Sequence, residues 1–187
     1  MAYYSNEQLK MLGFKKLGSN VRISTLSSIY DHHLIEIGNN VRVDDFCVIS
    51  GKIKIGDFCH ITVGCMLAGG IPGIIIDNFS TLAYGVKVFT QSDDYSGESM
   101  VNSLIPKEYK KEIMKPIHIF KQVIVGSGSI IFPGVNLNEG VAIGALSLVL
   151  KDCDAWHIYY GVPATKRTKR DKNILLLEDK FLRNENK

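Results

Sequence analysis

Two adjacent carboxylates, Asp93 and Asp94, open a polar stretch that continues Tyr95-Ser96-Gly97-Glu98. Like charges held close raise the pKa of one member, and a carboxyl so raised is a better base. The plainer reading is an Asx turn opening a surface loop, because Ser, Asp and Gly favour turns. Of the five histidines, His60 and His118 have sequence surroundings that put an imidazole on a surface. An imidazole titrates near neutrality and can take a proton from an attacking nucleophile. The rival reading for His60 is a solvated histidine at a corner. His32, His33 and His157 read as structural. The cationic run Lys166-Arg167-Thr168-Lys169-Arg170-Asp171-Lys172 either attracts phosphate groups or is a solvated linker.

These groups are positioned by a six-residue repeat. An aliphatic residue recurs at Ile119, Val125, Ile131, Leu137, Ile143 and Val149 without a phase slip. A second unbroken run is Ile37, Val43, Ile49, Ile55, Ile61 and Leu67. Shorter runs are Leu17, Ile23, Ile29 and Ile76, Leu82, Val88. The fifth position of each hexad is mostly small or β-branched, and it holds all four cysteines, Cys47, Cys59, Cys65 and Cys153. His33 and Ile71 also fall there. A period of six fits neither an amphipathic helix nor an alternating strand. It fits a short strand, a corner, and repetition. Three sides make a triangular coil, and coils stack as parallel strands about 4.8 Å apart. The expectation is an all-β chain, a parallel β-helix of about six coils with the aliphatic residue on its axis.

The breaks in phase mark the irregular parts. Two extra residues lie near Asp31 to Glu36, three in Ala68 to Ile75, and twenty-five between Asp93 and His118. An insertion of the last length in a compact domain is usually functional or disordered. Three segments are expected: an N-terminal cap at 1–16, the β-helix at 17–164 with the inserted loop 93–118, and a basic linker with a C-terminal helix at 165–187. Ser5-Asn6-Glu7-Gln8 reads as a capping box, with Gly13 closing the short helix. Ile174, Leu175, Leu177, Phe181 and Leu182 have helical spacing. That helix could cover the last coil or pack on a neighbouring subunit. Trp156 and Tyr159-Tyr160 would pack against it.

Composition excludes several classes. With 22 Lys+Arg against 19 Asp+Glu, net charge alone does not argue for nucleic acid, and no aromatic residues interleave the basic run. No apolar stretch is long enough to span a membrane. The first ten residues lack a signal-peptide pattern, so a cytoplasmic location is expected. Four cysteines do not make a disulfide scaffold. The histidines occupy different hexad positions and the cysteines point inward, so no metal is expected.

The hexads, Ile124-Val125-Gly126-Ser127-Gly128-Ser129, Pro133-Gly134-Val135, Ile143-Gly144-Ala145-Leu146-Ser147 and Gly161-Val162-Pro163-Ala164 resemble the hexapeptide-repeat acyltransferases. The likeness covers roughly residues 15 to 168. It is strongest to galactoside and maltose O-acetyltransferases and to sugar acetyltransferases of surface-polysaccharide clusters. The resemblance implies a left-handed β-helix and a homotrimer with active sites between subunits. It also implies acetyl-CoA as co-substrate, lying beside the C-terminal coils. Ser127 and Ala145 match cofactor-contacting positions, and Lys151 matches a lysine near the adenosine phosphates. Leu150 stands where the family often has Thr. The family's usual histidine at the start of the long loop is absent from Phe89-Thr90-Gln91-Ser92-Asp93-Asp94.

That departure leaves the base to other residues. The working assignment pairs His60 of one subunit with the Asp93-Asp94 loop of its neighbour, with His118 ranked second. Lys166 and Arg167 would meet the coenzyme phosphates. Tyr95, Ser96, Asn102 and Tyr109 in the loop would contact a sugar. The leading expectation is O-acetylation of a sugar hydroxyl in surface-polysaccharide biosynthesis. One alternative is N-acetylation of a nucleotide-linked amino sugar, since an amine needs less help from a base. The other is a non-catalytic β-helical scaffold.

Overall fold

The computed structural model describes residues 2–185. Short parallel strands build three sides of a prism. The first side stacks Lys16–Leu17, Ile35–Ile37, Ile53–Ile55, Ile74–Ile76, Ile117–Ile119 and Asn136–Leu137. The second begins Arg22–Ile23, Arg42–Val43, His60–Ile61, Thr81–Leu82, Ile124–Val125 and Ala142–Ile143. The third stacks Ser28–Ile29, Val48–Ser50, Met66–Ala68, Lys87–Phe89, Ile130–Ile131 and Leu148–Val149. Six complete coils result, and Cys153, bridged to Leu137, starts a seventh.

The register explains the repeat. Val43, Ile61, Leu82, Val125 and Ile143 form one file through consecutive pairings. All five are at most 3% exposed, and burying one such side chain is worth roughly 1.5–3 kcal/mol. Of the axial positions read from sequence, only Leu17 and Ile29 are part-exposed, and both lie in the first coil. The four cysteines are free and buried. The hexad count fails at His33 and Ile71, which are exposed. The insertions just after them shift the phase, so Ile35 and Ile74, each 1% exposed, take the inward place instead.

Both ends are covered, one of them unexpectedly. Helix α1 (Asn6–Met11) has both hydrogen bonds of its capping box, between Ser5 and Gln8. Ahead of it, the Tyr4 N–H donates to Ile23 O and the Thr25 N–H to Ala2 O, which closes the open strand edge of the first coil. At the other end the basic run is not a linker. Ala164–Lys169 is a strand antiparallel to His157–Gly161, and this hairpin extends the second side. Helix α2 (Asn173–Glu185) is present but does not sit over the last coil. It runs along the first edge, between sides one and two, where Phe181 packs on Phe58 and Phe79 and Glu178 pairs with Lys121. Phe58 and Phe79 stack with ring centroids 4.9 Å apart and offer the apolar surface on which Phe181 packs. Trp156 packs on Gly140 and Lys172 rather than against that helix. Residues 1, 186 and 187 of the expected end segments lie outside the described residues.

The long insertion leaves the third edge, between sides three and one. Gln91–Ser92 and Ile113–Met114 pair antiparallel as its stem. Thr90 anchors the stem by donating its hydroxyl to Gly69 O at 2.7 Å. Among the described residues no helix is long and apolar enough to cross a membrane.

Candidate active site

The second edge, between sides two and three, is where backbone and chemistry meet. From the second coil upward its turns are Asp44-Asp45-Phe46-Cys47, Thr62-Val63-Gly64-Cys65, Ala83-Tyr84-Gly85-Val86, Gly126-Ser127-Gly128-Ser129 and Gly144-Ala145-Leu146-Ser147. The third residue of each is left-handed, at φ 59, 74, 68, 69 and 55° in turn. Phe46 and Leu146 hold that conformation with exposed side chains, so the turn does not demand glycine. Space does not demand it either. A Cβ on Gly85 would meet nothing within 4 Å, and one on Gly64 nothing closer than 3.9 Å. Gly64 and Gly85 thus keep a strip of backbone bare, bounded by Phe46 below and by Leu146 above, whose Cδ2 lies 2.8 Å from where a Cβ on Gly128 would stand.

The strip presents donors. The third-position amides bind the coil beneath, as in Gly128 N–H to Tyr84 O at 2.8 Å and Leu146 N–H to Ser127 O at 2.8 Å. The amides of Tyr84, Ser127 and Ala145 have no acceptor among the described residues. Fixed amides facing a groove can hold a carbonyl or a developing oxyanion.

A charged cluster stands at the lower end. Asp44 is 3% exposed. Its Oδ1 accepts from Arg42 Nε at 2.6 Å, and its Oδ2 lies 2.8 Å from His60 Nε2. Burial pushes the Asp44 carboxyl up, but the bonds from Arg42 and His60 outweigh it and hold the group below the usual carboxylate range. An ionised Asp44 accepts a hydrogen bond from the Nε2–H, which leaves Nδ1 of a neutral ring as an acceptor. The chain itself therefore orients His60, which the sequence reading pairs with the Asp93-Asp94 loop of a neighbouring subunit. Asp44 was missed, although one coil is eighteen residues and sixteen separate the pair.

At the upper end, the Gly161 N–H donates to Ser147 Oγ, seating the Gly161–Ala164 turn over the edge. Arg167 lies 4.6 Å from the Tyr160 ring centroid. Lys166 turns away to Asp154 at 2.8 Å. Ser127, Ala145 and Arg167 thus share one edge, with His60 on the adjoining face of side two. Lys151 is exposed on the third edge, apart from them.

The remaining candidates also occupy the third edge, in the insertion. Asp94 accepts the Ser96 N–H at 2.9 Å, the Ser96 hydroxyl at 2.9 Å and the Ser99 hydroxyl at 2.9 Å. This is the Asx turn. The Ser96 amide, then the two hydroxyls, hold the Asp94 carboxyl below its ordinary value, so the rise expected from paired carboxylates does not occur there. Asp93 receives the Asn102 N–H at 3.4 Å and faces Lys110 at 3.8 Å. Tyr95 and Tyr109 are exposed, Ser96 belongs to the turn, and Asn102 caps the Leu104 amide. His118 pairs with Asp77 at 2.8 Å and stacks on Phe120, on side one. Among the described residues no three His, Cys, Asp or Glu converge to hold a metal ion.

No family model matches the chain. Solved structures of a hexapeptide-repeat acetyltransferase from Vibrio cholerae (TM-score 0.58, 22% identity, 87% of this chain and 78% of that one) and a maltose O-acetyltransferase from Clostridium difficile 630 (0.61, 20%, 89% and 75%) share its fold. The relatives that follow, which are far more similar, show the family: the chain belongs to the hexapeptide-repeat acyltransferases. It is 43% identical over 97% of its length, and 95% of the relative's, to the dTDP-4-amino-4,6-dideoxy-D-glucose acyltransferase of Escherichia coli. It also superimposes on AntD, an N-acyltransferase from Bacillus cereus solved with dTDP and 3-hydroxybutyryl-CoA, at TM-score 0.98, with 44% identity and full coverage of both chains.

Proposed function

We propose that this acyltransferase moves an acyl group from a coenzyme A thioester to the amino group of a dTDP-linked amino sugar. A 4-amino-4,6-dideoxyhexose is the preferred acceptor. The observation that carries this reading is 43% identity across nearly the whole chain to an enzyme of that acceptor class. The likeness to a maltose O-acetyltransferase, at 20% identity, is one of fold, so N-acylation replaces O-acetylation of a sugar, the first expectation.

The bare second edge supports the same reading. Coenzyme A supplies the acyl group as a thioester. The outward amides of Ser127 and Ala145 hold its arm, and Arg167 attracts its phosphates from the upper end. The Tyr84 amide, beside the Gly85 notch, is placed to take the oxyanion. The neutral amine attacks the carbonyl, a C–N bond forms, the C–S bond breaks, and the thiol leaves. His60 Nδ1 accepts the surplus ammonium proton, while Asp44 fixes the ring. Tyr95, Ser96, Asn102 and Tyr109, with Asp93 and Asp94, lie on the other edge. A site that uses both edges is built between copies, which supports a homotrimer. Lys151 and Lys166 are left as secondary contributors to coenzyme binding.

The test is release of free thiol from acetyl-CoA and 3-hydroxybutyryl-CoA with dTDP-4-amino-4,6-dideoxyglucose, set against maltose and a galactoside. Turnover confined to the amino sugar supports the assignment. Turnover confined to the neutral sugars restores O-acetylation.

A further inference from the structure

The bare strip of the second edge spans two turns, Val63-Gly64 and Tyr84-Gly85, with Leu146 leaning over Gly128 above them. One large side chain stands on it. Tyr84 is 64% exposed, and among the described residues its ring has no aromatic partner and its hydroxyl no hydrogen bond. The equivalent turn residues are Asp45 and Val63 below and Ser127 and Ala145 above, none of them as large. A lone exposed tyrosine is ordinary. The level of this one on the edge gives it a consequence.

Pairing sets that level. Thr81, three residues before Tyr84, lies directly above His60 in the stacked strands and directly below Ile124. The Tyr84 turn is therefore one coil above the His60 base and one coil below the Ser127 amide. The Tyr84 N–H has no acceptor among the described residues, and it shares a Cα with the ring. A carbonyl oxygen held by that N–H at ~2.9 Å brings its acyl carbons within roughly 6 Å of the Cα. A tyrosine ring reaches as far. Gly64 and Gly85 offer no other wall, since a Cβ on either would meet nothing closer than 3.9 Å.

We propose that the Tyr84 ring is the wall of the acyl site and restricts the donor to a two-carbon acyl group. An acetyl methyl fits between the ring and the backbone of Gly64 and Gly85, whereas a four-carbon chain such as 3-hydroxybutyryl meets the ring. The inference rests on the coenzyme placement proposed above and adds which acyl group is transferred. The wall is a side chain and the oxyanion donor a backbone amide, so substitution at Tyr84 removes the one and keeps the other.

The experiment compares acetyl-CoA with 3-hydroxybutyryl-CoA in wild type, Tyr84→Ala and Tyr84→Phe. Calorimetry gives the affinities without acceptor, and thiol release with dTDP-4-amino-4,6-dideoxyglucose gives kcat/KM. Melting temperature reports folding. Each enzyme yields a ratio between the two donors, so a loss common to both cancels, and the affinities decide if no acceptor is turned over. Wild type should favour acetyl-CoA about tenfold or more, the scale on which a pocket discriminates by a carbon or two. Tyr84→Ala should bring the ratio close to unity, and Tyr84→Phe should keep it. A wild-type preference for the longer donor, an unchanged ratio in Tyr84→Ala, or a lost preference in Tyr84→Phe overturns the proposal. An acetyl preference that Tyr84→Ala abolishes, in an enzyme that acylates only neutral sugars, would keep the wall and overturn only the amino-sugar reading.

Discussion

The Asp44 carboxylate holds His60 Nε2 at 2.8 Å across adjacent coils. The carboxylate is buried and the ring half-exposed, so one group fixes the other at the rim of the bare edge. Loss of the ring should cost kcat about a hundredfold in His60→Ala, the usual size of a general-base contribution. Asp44→Asn should lower kcat by less and move its pH profile, because the ring loses its fixed tautomer. KM for acyl-CoA should hold in both. Steady-state kinetics across pH 6 to 9 would show this, and wild-type kcat in His60→Ala would remove the histidine from the reaction.

Asp44 also sets an acid limit on stability. Its folded pKa is depressed, so its contribution is present above the unfolded value of about 4 and is lost as pH falls through the folded value. Asp44→Asn should therefore be destabilised by about 1–3 kcal/mol at neutral pH. The gap should close below pH 4. Denaturant melts at pH 7 and pH 3.5 give the comparison, and a gap that widens on acidification would contradict the sign.

Gly85 is bare for a reason other than packing. Gly85→Leu adopts a turn conformation that Leu146 already tolerates, at a cost of about 1–2 kcal/mol. It should fold with a modestly lower melting temperature. Its side chain would fill the groove and raise KM for acyl-CoA about tenfold or more. Unchanged kinetics would move the coenzyme off this edge.

The axis should be more sensitive than the first coil. Ile61→Ala, at a wholly buried axial position, should cost about 2–5 kcal/mol. Leu17→Ala, part-exposed at the prism's end, should cost clearly less. Chemical denaturation of the two variants ranks them.

The prism was legible because one physical demand repeats. Every side of every coil must bury one aliphatic side chain, so Ile119 to Val149 print the period directly. The shift at Ile35 and Ile74 was not legible, since an insertion shows its length but not which residue after it turns inward. His60 was visible as a surface imidazole. Its partner was hidden because stacking contacts link residues about eighteen apart, and Asp44 reads locally as one of two turn aspartates. Helix α2 was visible as an amphipathic stripe. Its place was not, because the stripe says that an apolar surface exists and not that Phe58 and Phe79 supply it. The Asp94 turn could be read from Asp-Tyr-Ser-Gly alone.

The central claim is acylation of an amine on a dTDP-linked sugar. It is met most directly by mass spectrometry of the product after incubation with acyl-CoA and dTDP-4-amino-4,6-dideoxyglucose. The account predicts one acyl group per sugar, attached as an amide that survives hydroxylamine. An ester cleaved by hydroxylamine, or acylation of the corresponding dTDP-sugar without its amino group at equal rate, would contradict it.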